Sequence, residues 1–518
     1  MPKQSKIYIK EWLAIKPYHK QVKTDSYYLG LCNKVKDALV LANSDIDGIG
    51  LYSSDIDLIS CLLVSYFEDI ISETNIWTTF VRLHDKMYGK KLPFYHMHEY
   101  FEKEINEQDI AFLLWYFIYI FTKEIEDKPF NKYTIIAASK VMEIFDDEYE
   151  FAPENKDLKK TYSLDETETD YYEVRKFIDK IAFNTYLFFP DTGMELIRQT
   201  ENLIEEKNAE SEENLASMMN ELRDTLLFNL NTKLLSLKAN EWAAEILGKQ
   251  HASYYDLKSV GNKFRSYFLI ESEDNDNIIL EHIATRQLFS VTKKSIDFLQ
   301  LFKSKGSVVL MGMANWKGEW WFSGISVFIS NDRTSRLIKD ERESITSKKE
   351  IPLTKEEKEI NTEILHKQEK VFLQLNKDRR ISFVKTSKLD DYLHNFIKSY
   401  NISIGQSGKA PKTKTGIKVG DIDETVVVFF NQKTGIELAY VPNAFPAKEN
   451  SDFDKYKSNK DTFNLLTTYQ ISTELANYCI DNYKDKLSFF NTDFGKLILE
   501  NSDFLLRFWK GRSYHSKP

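Results

Sequence analysis

The feature that most constrains this chain is a change of hydrophobic period near Tyr255. Before it, apolar residues recur three and four positions apart; after it, they alternate. A period near 3.6 buries one stripe of a helix, and a period of two buries one face of a strand. The N-terminal half therefore reads as an all-α array. From Asp25 to Ala42 the stripe is Tyr28, Leu31, Val35 and Leu39; from Asp55 it is Leu58, Leu62, Tyr66 and Ile70. Helical runs follow at Thr74–Met87, Met97–Glu104, Glu107–Lys123, Lys132–Phe145, Asp165–Phe189, Thr192–Lys207 and Leu215–Leu247, the last stopped by Gly248. Pro93, Pro129 and Pro153 fall between runs, where a missing amide donor is tolerated.

Past Tyr255 the spacing predicts strands at Lys263–Glu271, Ile278–Ala284, Leu288–Val291, Ser307–Ala314 and Glu319–Ile329, with a short helix at Ser295–Phe302. Ser330–Glu350 reads as a charged linker. Thr354 and Glu357 form a capping-box pattern that opens a helix to Asn376, with Ile360, Ile364, Val371 and Leu375 turned inward. A strand at Arg380–Lys385, a helix at Leu389–Tyr400, a hairpin of Thr425–Phe430 with Gly435–Tyr440, and closing helices complete the chain. The expected fold is a multi-domain α+β protein. It has an all-α array (1–255), a small antiparallel β module (256–332), and an α+β C-terminal region with a basic linker and loop (333–518).

At 518 residues the chain is too long for one core. Cys32, Cys61 and Cys479 form no close pair, which argues against a disulfide scaffold or a structural zinc and for a reducing cytoplasm. The most apolar run, Ile110–Phe121, is too short to span a bilayer, and the first residues carry Lys3, Lys6, Lys10 and Lys16 rather than a signal sequence. No membrane role is expected. The net charge of −9 disfavours general nucleic-acid binding. Arg333–Gly420, however, has a local excess of Lys and Arg, which reads either as a polyanion-binding segment or as a solvated helix face with a loop.

Chemistry-bearing motifs are incomplete. Asn43, Asp45, Asp47 and Gly48 open like a calcium loop, but Ser54 stands where a bidentate Glu belongs and Asp55 comes one residue late. Asn43, Asp45, Asp47 and Asp55 are thus candidate cation ligands, or a turn followed by a helix cap. His96 and His98, with His84 upstream, lack the i, i+4 spacing of a helix-borne zinc pair. Gly405–Lys409 resembles a phosphate loop, but Ser403 and Ala410 break the pattern, so no nucleotide is expected. No nucleophile elbow or kinase signature occurs, and no motif implies a cofactor.

The hairpin Val308–Ile329 is the most unusual composition, with Trp316, Trp320 and Trp321 around Lys317-Gly318. Adjacent Trp320 and Trp321 must point to opposite faces of a strand. One enters the module's core, and the other meets either the helical half or solvent, where a Trp beside Lys317 would stack on a partner.

The phrases EWLAIKPY (Glu11–Tyr18), SYFEDIISETNIW (Ser65–Trp77), MYGKKLPFY (Met87–Tyr95), EWWFSGI (Glu319–Ile325) and DFLLRFWKGRSYHSKP (Asp503–Pro518) resemble an uncharacterised bacterial family, seen chiefly in bacteroidetes. The resemblance runs the length of the chain and implies a bacterial protein, without a reaction or a site to carry over. Sequence alone thus points to a cytoplasmic, non-enzymatic interaction protein. Its unidentified protein or nucleic-acid partner would meet Trp316, Lys317, Trp320 and Trp321, with Lys409, Lys412, Lys414 and Lys418 from the basic loop. The rival expectations are an enzyme, such as a hydrolase, with Asp, Glu or His assembled from distant positions, and a scaffold subunit of a larger complex.

Overall fold

The computed structural model describes residues 6–44, 51–97, 99–124, 129–207, 211–295, 305–406, 423–511 and 514. The chain divides into two compact units, one of residues 1–232 with 237–352 and the other of 233–236 with 353–518. The array and the β module belong to the first.

Twelve helices form the described array: α1 (Ile9–Ala14), α2 (Asp25–Ser44), α3 (Ser53–Ser72), α4 (Ile76–Tyr88), α5 (Glu107–Thr122), α6 (Lys132–Glu148), α7 (Lys156–Thr161), α8 (Tyr171–Asn184), α9 (Met194–Glu206), α10 (Glu212–Asn229), α11 (Ala239–Leu247) and α12 (Tyr254–Val260). Its centre is α3 and α5. The run Ile110–Tyr119 is buried on every side, as its uniform hydrophobicity requires. One helix start is set by a buried carboxylate. The Asp69 carboxylate, at the end of α3, accepts from the amides of Ile76 (3.2 Å) and Trp77 (2.7 Å) and so caps α4 from outside its own sequence. Beside it, Lys16 is buried on Glu68, donates to Ser65 Oγ at 3.0 Å, and lies 3.5 Å over the Trp12 ring. Asn155 donates to the second Glu68 oxygen at 2.8 Å.

Three expectations differ here. Residues 99–106 form a turn-rich loop rather than a helix, because Asn106 uses its side chain to hold Phe101 N and the Phe101 and Glu104 carbonyls. The run expected from Asp165 begins only at Tyr171, after Asp165 turns back to bond Thr167. The run expected over Leu215–Leu247 breaks between Asn229 and Lys238, where Thr232 Oγ1 and Trp242 Nε1 bond across the turn.

Five strands follow: β1 (Phe264–Glu273), β2 (Asn277–His282), β3 (Leu288–Thr292), β4 (Val308–Trp316) and β5 (Glu319–Phe328). They close a barrel in the order β1-β2-β3-β5-β4. All pairs are antiparallel except β3 with β5, which run parallel at Val291↔Trp320. The β4–β5 turn has Lys317 at φ +47° and Gly318 at φ +84°, the left-handed pair that matches strand twist in a two-residue hairpin. Phe264, Phe268, Leu280, Phe289 and Met311 fill the interior, and Ile351 closes it from beyond the last strand. The segment expected as a linker instead forms α13 (Asn331–Glu343) and α14 (Ile345–Lys348). Of the helix expected at Ser295–Phe302, only Ser295 lies among the described residues, in a short 3₁₀ turn.

The second unit has α15 (Lys355–Leu375), β6 (Ile381–Lys385), α16 (Leu389–Ser403), β7 (Thr425–Asn431), β8 (Gly435–Ala439), and α17 (Ser458–Thr467), α18 (Thr473–Tyr483), α19 (Asp493–Glu500) and α20 (Ser502–Lys510). Central β7 is buried at every position, between β6 and β8. One sheet face packs Val426, Val428 and Phe430 on Phe372 and Phe396 of α15 and α16. On the other, Phe429 meets Tyr478 and Phe383 meets Phe445. Lys510 is fully buried and donates to the carbonyls of Thr468 (2.6 Å) and Ile471 (2.8 Å); burial pulls its pKa down to about 7.

Candidate interaction surface on the barrel

The tryptophan hairpin is built into the first unit. Trp320 points inward, its ring 5.7 Å from Phe264 and 5.2 Å from Phe289. Trp321 points outward against α8, its ring 6.2 Å from Tyr171 and 5.9 Å from Tyr172, and it is buried there, as is Trp316. Lys317 lies 5.5 Å from the Trp316 ring and donates to the Glu166 carbonyl at 3.3 Å. The hairpin therefore spends its aromatic surface on the join between barrel and array, and an exposed stacking platform is not what it presents.

An ionic centre fixes the same join. Asp224 of α10 is fully buried and contacts Lys263 at one oxygen. At the other it accepts from Arg175 Nε and Ser323 Oγ, both at 2.8 Å. Tyr171 OH and Ser323 Oγ share a hydrogen bond of 2.6 Å. One turn away, Glu221 accepts from the Ile325 amide at 3.0 Å. Gly324 lets the strand approach: at φ +85°, a Cβ there would lie 2.5 Å from Glu221 Oε2. Burial would raise the Asp224 pKa, but Lys263 and Arg175 outweigh it and hold the carboxyl below its ordinary value. With α10 and α12 packed on β5 and β4, this side of the barrel is closed.

Inside the barrel, Ser266 Oγ sits 2.8 Å from His282 Nε2, the spacing of a nucleophile and its base. On its other side, His282 Nδ1 lies 2.8 Å from Thr285 Oγ1 and accepts from the Thr285 amide at 3.3 Å, so both ring nitrogens are engaged in fastening strand and turn. Burial pushes the histidine pKa down to about 4 and keeps it neutral. The pair staples β1 to β2, and both residues are buried.

The side facing away from α10 and α12 is different. Pleating turns Ile279 and Glu281 of β2, and Leu288 and Ser290 of β3, to the outside in the cross-strand pairs Ile279↔Ser290 and Glu281↔Leu288. Leu288 is 61% exposed, and Ser290 with the turn residues Thr285, Arg286 and Gln287 is exposed too. Glu281 is held at the edge by Arg342 of α13, 3.2 Å away. The end of β1 and the loop after it carry exposed Glu273, Asp274 and Asp276; Lys293 answers Glu273 at 3.0 Å.

Lys409, Lys412, Lys414 and Lys418 lie outside the described residues, as do Asp45, Asp47, His98 and most of the glycine-rich loop. Asp55 accepts from the Tyr52 amide at 2.9 Å as part of the α3 cap, and Asn43 lies in the last turn of α2. His84 is buried with Nδ1 2.7 Å from the Lys90 carbonyl, while His96 is exposed. Among the described residues no group of three His, Cys, Asp or Glu side chains is placed to hold a metal ion, and no helix is long and apolar enough to cross a membrane. Sequence reasoning missed Asp224 and Leu288. The first is one acid among many on an amphipathic helix. Leu288 was legible as a strand residue, but its exposure follows only from which barrel face the helices cover.

Residues 6–290 match the family described as "Protein of unknown function (DUF3843)". The chain belongs to that family. The matched stretch takes in the whole array and ends inside β3, so Asp224, His282 and Leu288 fall within the DUF3843 region while the tryptophan hairpin lies beyond it. No curated protein and no solved structure matches the chain.

Proposed function

We propose that this DUF3843 protein is a non-enzymatic binding protein that holds a protein partner on the outer β2–β3 face of its barrel. One observation carries the reading: a closed barrel sealed on its β4–β5 side leaves Leu288 open on the other, beside Ile279, Ser290 and Arg286. Leu288, at the start of β3, and half-buried Ile279 put adjoining apolar surface on a face that is otherwise polar. The strand order with a parallel β3–β5 pair is that of OB-type barrels, in which the face of strands 2 and 3 binds ligand. Fold alone does not choose the ligand. Here the β1–β2 loop is acidic, and the β4–β5 loop is tied down through Lys317, so a phosphate backbone would be repelled and a polypeptide is favoured.

The three cysteines are free and buried, in keeping with a reducing cytoplasm as the place of action. The test is quantitative co-purification of the intact protein and its Leu288→Asp variant from its own cells. A partner captured in stoichiometric amount by the first and lost by the second is expected. Retention of that partner by the variant overturns the assignment of this face. A salt-sensitive gel shift with single-stranded RNA or DNA overturns the choice of a polypeptide.

A further inference from the structure

The outer β2–β3 face is bordered by a segment of the chain itself. After β5, α13 half-buries Thr334, Leu337, Ile338, Glu341 and Arg342, the one-sided spacing of a helix lying on a surface, and leaves its other described side chains exposed. The chain then passes through α14 and sends Ile351 into the apolar interior of the barrel. Among the described side chains of 331–351 only Ser347 and Ile351 are buried, and Ser347 bonds locally, to Ser344 Oγ at 2.9 Å. One isoleucine is thus the buried apolar anchor of the whole segment.

Its polar contacts are poorly matched. Arg342 reaches Glu281 through one nitrogen at 3.2 Å, while its Nε is buried without a hydrogen-bond partner. An orphaned buried donor costs free energy, and an ion pair whose side chains are 38% and 17% exposed returns little. Glu350 lies near Glu341, and partial burial together with that like charge holds its carboxyl above the ordinary range. Few buried apolar contacts and mismatched charges put an element at the low-stability end of a fold. The segment nevertheless ends on the face: Glu281 stands between Leu269 and Leu288 in one cross-strand row. We propose that 331–352 is a displaceable strap on the partner-binding face, with Arg342 holding Glu281 in the place that a lysine or arginine of the bound polypeptide takes. The inference rests on the proposed binding face and adds its regulation and the partner's chemistry, a basic residue beside the apolar one that covers Leu288. Because two cations compete for one carboxylate, partner binding and strap release are coupled.

Hydrogen exchange on the intact protein tests the strap without a partner. The helical amides of α13 should exchange through an opening that leaves β1, β2 and β4 protected, and Ile351→Ala should speed that exchange about tenfold or more. Amides of α13 that exchange only together with those strands, or at a rate that Ile351→Ala leaves unchanged, overturn the proposal. Arg342 is tested with a synthetic peptide of residues 331–352 as the probe. It should bind the Arg342→Glu, Ile351→Ala protein, whose own strap is loosened. Glu281→Arg added to that protein should weaken binding about tenfold or more, and a peptide carrying Arg342→Glu should restore it. Circular dichroism checks that the variants stay folded. No binding, or binding indifferent to Glu281→Arg, overturns the role of Arg342. A protein captured through Leu288 should bind Arg342→Ala several-fold more tightly than the unaltered chain; weaker binding would make Arg342 part of the site and overturn the proposal as well. Failed strap results with the partner still captured strike this inference alone. Retention of the partner by Leu288→Asp strikes the binding face, and the coupling with it.

Discussion

Asp224→Asn is the sharpest test of how barrel and array are joined. The substitution keeps the shape and removes the charge, leaving Lys263, 6% exposed, and Arg175, 22% exposed, without their anion. Breaking a buried ion pair by neutralising one partner costs about 3–5 kcal/mol, because the remaining charge stays desolvated. Arg175 reaches some solvent and moderates the loss; Lys263 does not. Unfolding entropy for a unit of this length converts that range to a fall in Tm of about 4–7 °C. The measurement is thermal unfolding followed by tryptophan fluorescence and circular dichroism together. Because the folded carboxyl titrates below its ordinary value, the stabilisation is complete at neutral pH. It is lost only as pH falls below about 4, so the gap between the two proteins should close there. A companion with Asp224→Leu, Arg175→Met and Lys263→Met should recover most of the loss, since an apolar replacement leaves no orphaned charge. A loss under about 1 kcal/mol for Asp224→Asn, the size expected of an exposed pair, would mean that water reaches this ion pair and that it does not fix the join.

Trp321→Ala should cost about 3–5 kcal/mol by emptying the space against Tyr171 and Tyr172, and a loss under about 1 kcal/mol in urea unfolding would return that ring to solvent. Ser266 should not be labelled by a fluorophosphonate probe, because it is buried with His282 inside the barrel; stoichiometric labelling abolished by Ser266→Ala would show that interior to be open to substrate. Asp109 is buried among the hydroxyls of Tyr66 and Tyr100, and burial pushes its pKa up to about 7. The folded state therefore holds a proton that the unfolded state has released. Stability should decline as pH rises from about 4 to about 7, and Asp109→Asn should flatten that decline in urea titrations at matched pH.

Much of the fold was legible because period and burial agree. Leu58, Leu62, Tyr66 and Ile70 read as one helix and form one, and the five strands fall where alternation put them. Adjacent Trp320 and Trp321 had to face opposite ways, and they do. What failed were places where long-range partners override local pattern. The helical spacing of Met97–Glu104 yields to the side chain of Asn106, and the polar stretch Ser330–Glu350 becomes helical after β5 despite its linker-like composition. Ile360, Ile364 and Leu375 were expected to turn inward with Val371 and are exposed, since periodicity places residues on one stripe without saying how far the core reaches along it. The proposed binding face was hidden for a related reason. The hairpin drew attention by composition, yet large aromatic residues are costly to leave wet, and Trp316 and Trp321 are buried where the helices meet the barrel. Leu288 carries no compositional signal at all.

The proposed function rests on a polypeptide contact at the outer β2–β3 face. It is tested most directly by placing a photo-crosslinking amino acid at Ser290, exposed beside Leu288, and at Phe151, exposed on the array. Irradiation in the protein's own cells should give one discrete protein adduct from position 290 and none from position 151. Adducts from position 151 alone, or none from 290 when a partner still co-purifies, would contradict the account.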